Sequence, residues 1–349
     1  MKKELGIFIL LVVLCVIVSI RNPRFLSAAN LQNQAALIGM FGIFSIGLGL
    51  VIISGGIDLS VGSVFALQGV LLSVLLMEHR WPWPLAVGAC ILGMMGLGCL
   101  HGLLVVKLRM QPFIVTLCGL LLYRGLARFI ADDQTKGFGT YDFGLLRWLA
   151  EGRLVIFPQP LRDALGLPCV VAIPIPFVLL IIVAVAAWVL LHRSVYGRYL
   201  LAVGRNEDAA RYSGINSRLM IGSVYVVSMA LAGISGTLFA LYTNSISPAS
   251  HGNFYELYGI AAAVLGGCSL RGGEGSILGI LIGAALLQVL QNLVNLLGIP
   301  SSLNFAVMGA VILIGVVTDQ LLRRQRQAVR ARGQGFPVQP LAGHDPRAM

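Results

Sequence analysis

Charged residues are scarce in this chain, and that scarcity excludes an ordinary soluble domain. The 349 residues are 57% hydrophobic and only 11% charged, whereas soluble domains carry about 25% charged residues. The formal net charge of +11 would suggest a nucleic-acid partner in a soluble protein. In a chain this apolar, retention of Lys and Arg in cytoplasmic loops is the better explanation. We therefore expect a membrane protein with no nucleic-acid partner.

Motifs for metal, thiol and nucleotide chemistry are also missing. The six cysteines form no CxxC pair, and the five histidines show neither HxxxH nor HExxH spacing. We therefore expect small buried cysteines and no metal site. No cluster of nucleophile, base or metal ligands stands out, so the chain is predicted not to be an enzyme. Its four lysines never follow a glycine, so it lacks a phosphate-binding loop and any ATP must be bound by another subunit.

Long apolar runs dominate what is present. A spanning helix needs about 20 apolar residues, and the chain is predicted to be an all-α polytopic membrane protein with about ten spans. The range is eight to ten, some helices are expected to be broken, and a polar connector, Arg21–Gln34, is expected to follow the first span. The first run could instead be the apolar region of a signal peptide. The predicted spans are Leu5–Ile20, Ala35–Ile53, Val61–Met77, Leu85–Val106, Pro112–Ile130, Cys169–Leu191, Leu219–Thr243, Phe254–Leu270, Ser276–Leu297 and Leu303–Thr318.

The distribution of basic residues sets the predicted orientation. Ten spans place both termini on one side, and most of the 25 Lys and Arg residues then fall on that side. The positive-inside rule assigns this side to the cytoplasm. We predict one membrane domain over residues 1–322, with an outer segment at 131–168 and an inner segment at 192–218. Residues 323–349 form a basic tail with the composition of a disordered segment.

The stretch VIISGGIDLSVGSV, residues 51–64, is the centre of the predicted site. An acid flanked by glycines between two apolar runs is costly in a membrane, so it indicates a cavity or a partner. A broken helix at this depth is tolerated only inside protein or along a wet path. Asp58 has two readings that remain open: N-cap of a helix starting at Leu59, or direct contact with a substrate. The candidate path residues are Gly55, Gly56, Asp58, Ser60 and Gly62.

A second stretch echoes the first. Residues 266–273, GGCSLRGG, share the pattern of residues 55–62, GGIDLSVG, after an apolar run. Paired breaks in the two halves of a transporter indicate its pathway. An inverted repeat would place the breaks on opposite sides, however, whereas the span count places both on the cytoplasmic side. Either the first break is therefore intramembrane, or the echo is a coincidence in a glycine-rich chain.

The inner segment His192–Arg218 contains a predicted short helix. In NEDAARY, residues 206–212, Asn206 is placed to cap the helix, Glu207 and Asp208 fall in its first turn, and Gly214 is placed to end it. Such a helix is either a solvated loop helix or a docking helix for a cytoplasmic partner.

Several motifs, in order, resemble one family. GGIDLSVGS, PFIVTL at Pro112–Leu117, VGRNEDAARYSGIN and AAVLGGCSLRGGEGS look like the permease subunits of bacterial ABC importers for ribose, galactosides, arabinose and related sugars. The resemblance covers roughly residues 5–320 and implies a type II importer-like fold in the bacterial inner membrane. It also implies a second permease copy, a cytoplasmic ABC ATPase, a periplasmic sugar-binding protein and a sugar substrate.

The resemblance assigns residues 204–216 to ATPase coupling and the GGIDLSVG stretch to the translocation path. The segments 131–168 and 323–349 depart from the family pattern and leave the partner open. The alternatives are a secondary carrier, or an ABC permease for branched-chain amino acids or autoinducer-2. The candidate coupling residues are Gly204, Arg205, Asn206, Glu207, Ala209, Ala210, Gly214 and Asn216.

Overall fold

The structure is a computed structural model that describes residues 2–155, residues 172–300 and scattered positions between 303 and 313. The chain divides into two units, Met1–Asn304 and Phe305–Met349, and the fold below is that of the first. Ten of the 16 residues of the predicted tenth span, Leu303–Thr318, lie outside the described residues. The predicted tail, 323–349, lies wholly outside them.

The described chain is built almost entirely of helices, because a helix satisfies every backbone polar group within its own segment in lipid. Two of the helices, those that end at Ser73 and Trp188, continue as short π-helical turns at Val74–Glu78 and Val189–Arg193. The helices are α1 Lys2–Arg21, α2 Ala28–Ile53, α3 Val61–Ser73, α4 Trp83–Val106, α5 Pro112–Ile130, α6 Leu145–Glu151, α7 Ile175–Trp188, α8 Val195–Arg205, α9 Glu207–Tyr212, α10 Ser217–Thr243, α11 Tyr255–Leu265 and α12 Ile277–Leu296.

The predicted fold class, an all-α polytopic membrane protein, is confirmed. Among the described residues, seven helices are long and apolar enough to cross a membrane, and α1 adds a shorter apolar stretch. The predicted eighth span, Phe254–Leu270, is wrong. Its helix covers only Tyr255–Leu265, which is 11 residues, because the glycines after Leu265 end it. The predicted sixth span, Cys169–Leu191, begins as a helix only at Ile175.

The predicted polar connector Arg21–Gln34 is also wrong in part. A short 3-10 turn covers Pro23–Leu26, and α2 already begins at Ala28. Asn30, Gln32 and Asn33 are tolerated in this first part of α2 because they have partners elsewhere in the fold. The Asn30 side-chain amide donates to Asn292 Oδ1 at 3.2 Å, for example.

Helices α2, α3 and α10 form the interior, and α4, α5 and α7 lie around them. In α2, 89% of the most apolar 18-residue window is buried, whereas in α4 and in α5 only 28% of the corresponding window is buried. Glycines set the closest approaches: a Cβ on Gly47 would lie 2.9 Å from Ser228 Cα, and one on Gly98 would lie 2.7 Å from Tyr225 O. The small-residue faces therefore pack helix on helix, as such faces do in lipid.

The predicted outer segment, 131–168, folds onto the end of the bundle opposite α9 as far as it is described. It contains α6 and the strand β1, Arg153–Val155, which pairs antiparallel with β2, Ala172–Pro174. Lys136 exchanges backbone hydrogen bonds with Ile246. The hydrogen bond from Arg128 lowers the pKa of the exposed Asp133 carboxyl below its usual value.

Candidate translocation and coupling site

The central stretch begins where α2 ends in a tight left-handed turn. The Gly55 N–H donates to Ile52 O at 2.9 Å, and the Gly56 N–H donates to Val51 O at 3.0 Å. Gly55 has a φ of +87°, which a residue with a Cβ adopts only at a cost. This paired pattern is a Schellman motif, so the helix stops here because of the glycine.

Asp58 follows the turn and is fully buried, with 0% of its surface exposed. Its Oδ1 accepts from the Ser60 N–H at 2.9 Å and from the Ser60 hydroxyl at 2.7 Å. The helix begins at Val61, and its N-cap Ser60 makes no side-chain cap bond. The prediction that Asp58 caps a helix starting at Leu59 is therefore wrong. Asp58 closes an Asx turn that orders the backbone leading into α3.

The second carboxylate oxygen, Asp58 Oδ2, has no hydrogen-bond partner within the described chain. Buried polar atoms are nearly always paired, so this oxygen stands out among the described residues as a candidate contact for a ligand. The hydroxyl of Tyr225, on α10, has no partner among the described residues either. A Cβ on Gly56 would lie 2.6 Å from that hydroxyl, so Tyr225 rests directly on the broken stretch.

Two further polar residues, His101 and Tyr123, lie on the same side of the bundle interior as Tyr225. His101 on α4 and Tyr123 on α5 join through a 2.8 Å contact between His101 Nε2 and the Tyr123 hydroxyl. The His101 ring meets the Tyr225 ring edge-on, with centroids 6.2 Å apart. All three residues are at most 1% exposed. Asp58 therefore faces a polar lining contributed by three different helices.

The far end of the path stretch, Gly62, is held by Arg124 of α5. The guanidinium of Arg124 donates to the backbone carbonyls of Gly62 at 3.2 Å, Pro248 at 3.2 Å and His251 at 2.8 Å. A side chain at Gly62 would collide with the buried carboxylate of Glu256. This position is therefore closed to any residue larger than glycine.

The echoing stretch has the same backbone construction. The Gly267 N–H donates to Val264 O at 2.9 Å, and the Cys268 N–H donates to Ala263 O at 2.9 Å. Gly267 has a φ of +92°, so α11 ends in the same motif as α2. The two breaks therefore form a structural pair. They lie side by side at one end of the bundle, which does not fit the opposite sides expected of an inverted repeat.

The predicted helix in the inner segment is present as α9. The Asn206 Oδ1 accepts from the Ala209 N–H at 2.9 Å, and Gly214 has a φ of +83°. The Ile215 N–H reaches back to Ala210 O at 3.1 Å. Both ends are therefore capped as the sequence predicts, whereas the functional role of the segment remains a prediction.

The remaining predicted coupling residues surround α9. Ala210 is buried against Val203 and Met220, while Arg205 and Ala209 are exposed. Asn216 caps the next helix, α10, by accepting from the Leu219 N–H at 3.1 Å. Glu207 accepts from the Ser217 hydroxyl at 2.9 Å, so α9 is tied to the start of α10.

The three glycine segments meet at one point, which we call the glycine junction: Ile53–Gly55, Gly204–Arg205 and Gly272–Gly273. The Gly273 N–H donates to Ile53 O at 2.8 Å. A Cβ on Gly272 would lie 2.5 Å from Gly204 O and 2.9 Å from Gly55 Cα. The predicted coupling segment therefore touches both helix breaks backbone to backbone.

Sequence reasoning missed two parts of this arrangement. It did not assign Gly272 and Gly273 to the site, although the echo was the signal that could have found them. It also missed a cluster of rings around the partly exposed Tyr255, whose ring centroid lies 4.6 Å from that of Phe41. The cluster consists of Phe41, Phe44, Phe65, Phe239 and Tyr255. No group of three or more His, Cys, Asp or Glu residues suited to a metal occurs in the described chain.

A bundle of apolar helices with two paired breaks and a capped helix between spans has the features expected of a transporter permease. Residues 30–316 match the family described as "Branched-chain amino acid transport system / permease component", and the chain belongs to this family. The predicted resemblance to sugar ABC importer permeases is confirmed. The chain is a multi-pass inner-membrane transport subunit and not an enzyme.

Individual relatives match most of the chain in sequence. The chain is 37% identical to ribose import permease protein RbsC of Bacillus subtilis (strain 168), over 91% of this chain and 93% of that protein. It is 39% identical to RbsC of Escherichia coli (strain K12), over 89% and 92%. The xylose transport system permease protein XylH of Escherichia coli (strain K12) is 30% identical, over 87% and 88%. No solved structure matches the chain.

Proposed function

We propose that this chain is the membrane-spanning subunit of an ATP-driven importer for a pentose or related monosaccharide. It forms the translocation path beside a second permease copy. ATP is bound by a separate cytoplasmic ATPase, and a periplasmic sugar-binding protein delivers the sugar. Both termini are cytoplasmic, and residues 131–168 are periplasmic. The names of the relatives, which are ribose, allose and xylose permeases, support this substrate class.

The glycine junction is the observation that carries the coupling part of the proposal. The ATPase seats on the segment 204–216, with α9 as the docking helix. Gly204 packs on Ile53 and Gly273 with no side chain between them. Because these contacts join backbone to backbone, no side-chain rearrangement can absorb a displacement of α8 and α9. The ends of α2 and α11 therefore move with the segment, and the path opens by alternating access.

The path runs along the broken stretch from Gly55 to Gly62. Asp58 Oδ2 and the Tyr225 hydroxyl are buried without partners in the described chain, and each is a group that binds a sugar hydroxyl. In the closed arrangement they lie inside the bundle. When the ends of α2 and α11 separate, these two groups become the polar surface over which the sugar passes.

The test is ATP hydrolysis and ribose uptake by the permease reconstituted in proteoliposomes with its ATPase and a sugar-loaded binding protein. Gly204→Ala is expected to lower both by about tenfold, because overpacking of this kind costs roughly 1–3 kcal/mol. Gly222→Ala is the matched control: it lies in α10, and a Cβ there meets nothing within 4 Å. Stimulation at the wild-type level in a monodisperse Gly204→Ala permease would refute the coupling role.

The same preparation distinguishes the alternatives. The family description names branched-chain amino acids, so leucine with a matching binding protein is the second substrate to measure. Stimulation by leucine and not by ribose would replace the sugar with an amino acid. Concentrative ribose uptake by the permease without any ATPase would identify a secondary carrier instead.

A further inference from the structure

An open cavity is formed partly by the coupling segment, which contributes Arg211, Ile215 and Asn216 to its lining, at the level where spanning helices end. It occupies about 530 Å³ between the turn that joins α4 to α5 and the start of α10. Its position separates it from the path stretch, whose residues lie in the interior of the bundle. The lining residues are Arg109, Arg211, Ile215, Asn216, Ser217 and Arg218.

The lining is strongly basic. It contains three arginines and no acid. Arg211 lies 3.9 Å from Asp208 on its own helix, a distance at which exposed pairs gain little. Neither Arg109 nor Arg218 belongs to an ion pair in the part of the chain that the structure describes. Within the described residues the cavity therefore presents two guanidinium groups without an ion pair, and the carboxylate against its lining, that of Glu207, accepts from the Ser217 hydroxyl at 2.9 Å.

The start of α10 adds to the positive electrostatic potential of the cavity. Ser217 and Arg218 form its first turn, where the helix dipole favours an anion. The Ser217 and Leu219 N–H groups are already bonded to Ile215 O and Asn216 Oδ1, so the arginines remain the principal donors. Arginine binds the oxygens of a phosphate through paired N–H donors. A phosphate group is therefore the ligand that this combination recognises best.

The surroundings identify the source of the phosphate as a membrane lipid. The side chains of Leu108, Phe113 and Leu219, which flank the cavity along the chain, are 59%, 50% and 62% exposed. Helices α4 and α5 are the least buried of the candidate spans among the described residues, so exposed apolar side chains at their ends suit contact with lipid. Basic pockets of this kind at the cytoplasmic ends of helices bind anionic headgroups.

We propose that this cavity binds the phosphate headgroup of an anionic phospholipid, with Arg109 and Arg218 as its principal ligands and Arg211 as the third. The bound headgroup joins the turn between α4 and α5 to the end of the coupling segment. Occupancy by an anionic lipid therefore fixes the position from which α9 meets its partner.

The test uses the purified permease alone, so that its failure leaves the proposed transport function untouched. Native mass spectrometry measures retention of added phosphatidylglycerol and phosphatidylcholine. The wild type is expected to retain phosphatidylglycerol selectively. Arg109→Gln with Arg218→Gln is expected to weaken retention by about fivefold for each arginine removed. Arg109→Lys with Arg218→Lys is expected to keep most of it, because the charge remains.

Arg198→Gln is the control, since Arg198 is exposed on α8 and does not line the cavity. Equal retention by the double glutamine variant and the wild type would overturn the proposal. Displacement of the lipid by inorganic phosphate alone would assign the site to a free anion. If the double variant retains phosphatidylglycerol but loses ATPase binding in phosphatidylcholine nanodiscs, the cavity is a protein-docking site and the lipid proposal is wrong.

Discussion

Asp58 has two separable properties at the scale of a single residue. One oxygen holds the backbone turn through Ser60, and the other has no partner in the described chain. Asparagine preserves the first property, since its side-chain oxygen still accepts, and removes the charge behind the second. Alanine removes both. The pair of substitutions therefore distinguishes a residue that shapes the path from one that also contacts the sugar.

We expect Asp58→Ala to reduce the amount of folded permease, because the buried Ser60 donors lose their acceptor at a cost of about 1–3 kcal/mol. Asp58→Asn is expected to restore folded protein but not ribose uptake. Uptake and detergent-solubilised protein are the measurements. Asp142 is the matched control, because its Oδ1 closes the same kind of turn on the Gly144 N–H at 2.8 Å in an exposed position. Wild-type uptake by Asp58→Asn would restrict Asp58 to the turn.

The coupling segment shows how a short element is positioned by its ends. Helix α9 has only six residues, and isolated helices of this length are unstable in water. It persists because Asn206 caps its start, Gly214 ends it and Ala210 packs into a small apolar cluster. Its shape therefore depends on a few contacts, and a single substitution can remove any one of them.

We expect Asn206→Ala to weaken α9 by about 1 kcal/mol through loss of the cap. Sugar-stimulated ATP hydrolysis is expected to fall several-fold, while the melting temperature of the permease in detergent changes little. Ser27→Ala is the matched control, because Ser27 caps α2 by accepting from the Asn30 N–H at 3.3 Å at the other end of the bundle. An equal loss of stimulation in both variants would contradict a specific role for α9.

The two ends of the whole molecule differ in charge and in exposed aromatic side chains. Tyr212 is 86% exposed beside the basic cavity, and Tyr141 is 52% exposed at the opposite end. The distribution of Lys and Arg predicts that the end with α9 is cytoplasmic. In a cysteine-free background, Tyr141→Cys should react with an impermeant maleimide in intact spheroplasts. Tyr212→Cys should react only after permeabilisation, and the reverse pattern would invert the predicted topology.

Much of the fold could be predicted because the hydrocarbon layer imposes a length. The runs that form α4, α5 and α12 are apolar over about 20 residues, so they must span as helices wherever they pack. The caps of α9 could also be predicted, because Asn206 and Gly214 act on their immediate neighbours. The start of α2 could not be predicted, because the polar Asn30 side chain is paired with Phe25 O and with Asn292, a residue near the other end of the described chain.

The sequence by itself determined that this chain spans a membrane, where its helices break and which segment projects between them, because lipid thickness, glycine backbones and capping side chains all act locally. Only the tertiary structure decided that the break after Ile53, Gly204 and Gly273 share one junction. It also decided that one Asp58 oxygen has no partner within the described chain and that Arg109 and Arg218 line the same cavity. Those arrangements depend on which helices pack together, and no local pattern in the chain contains that information.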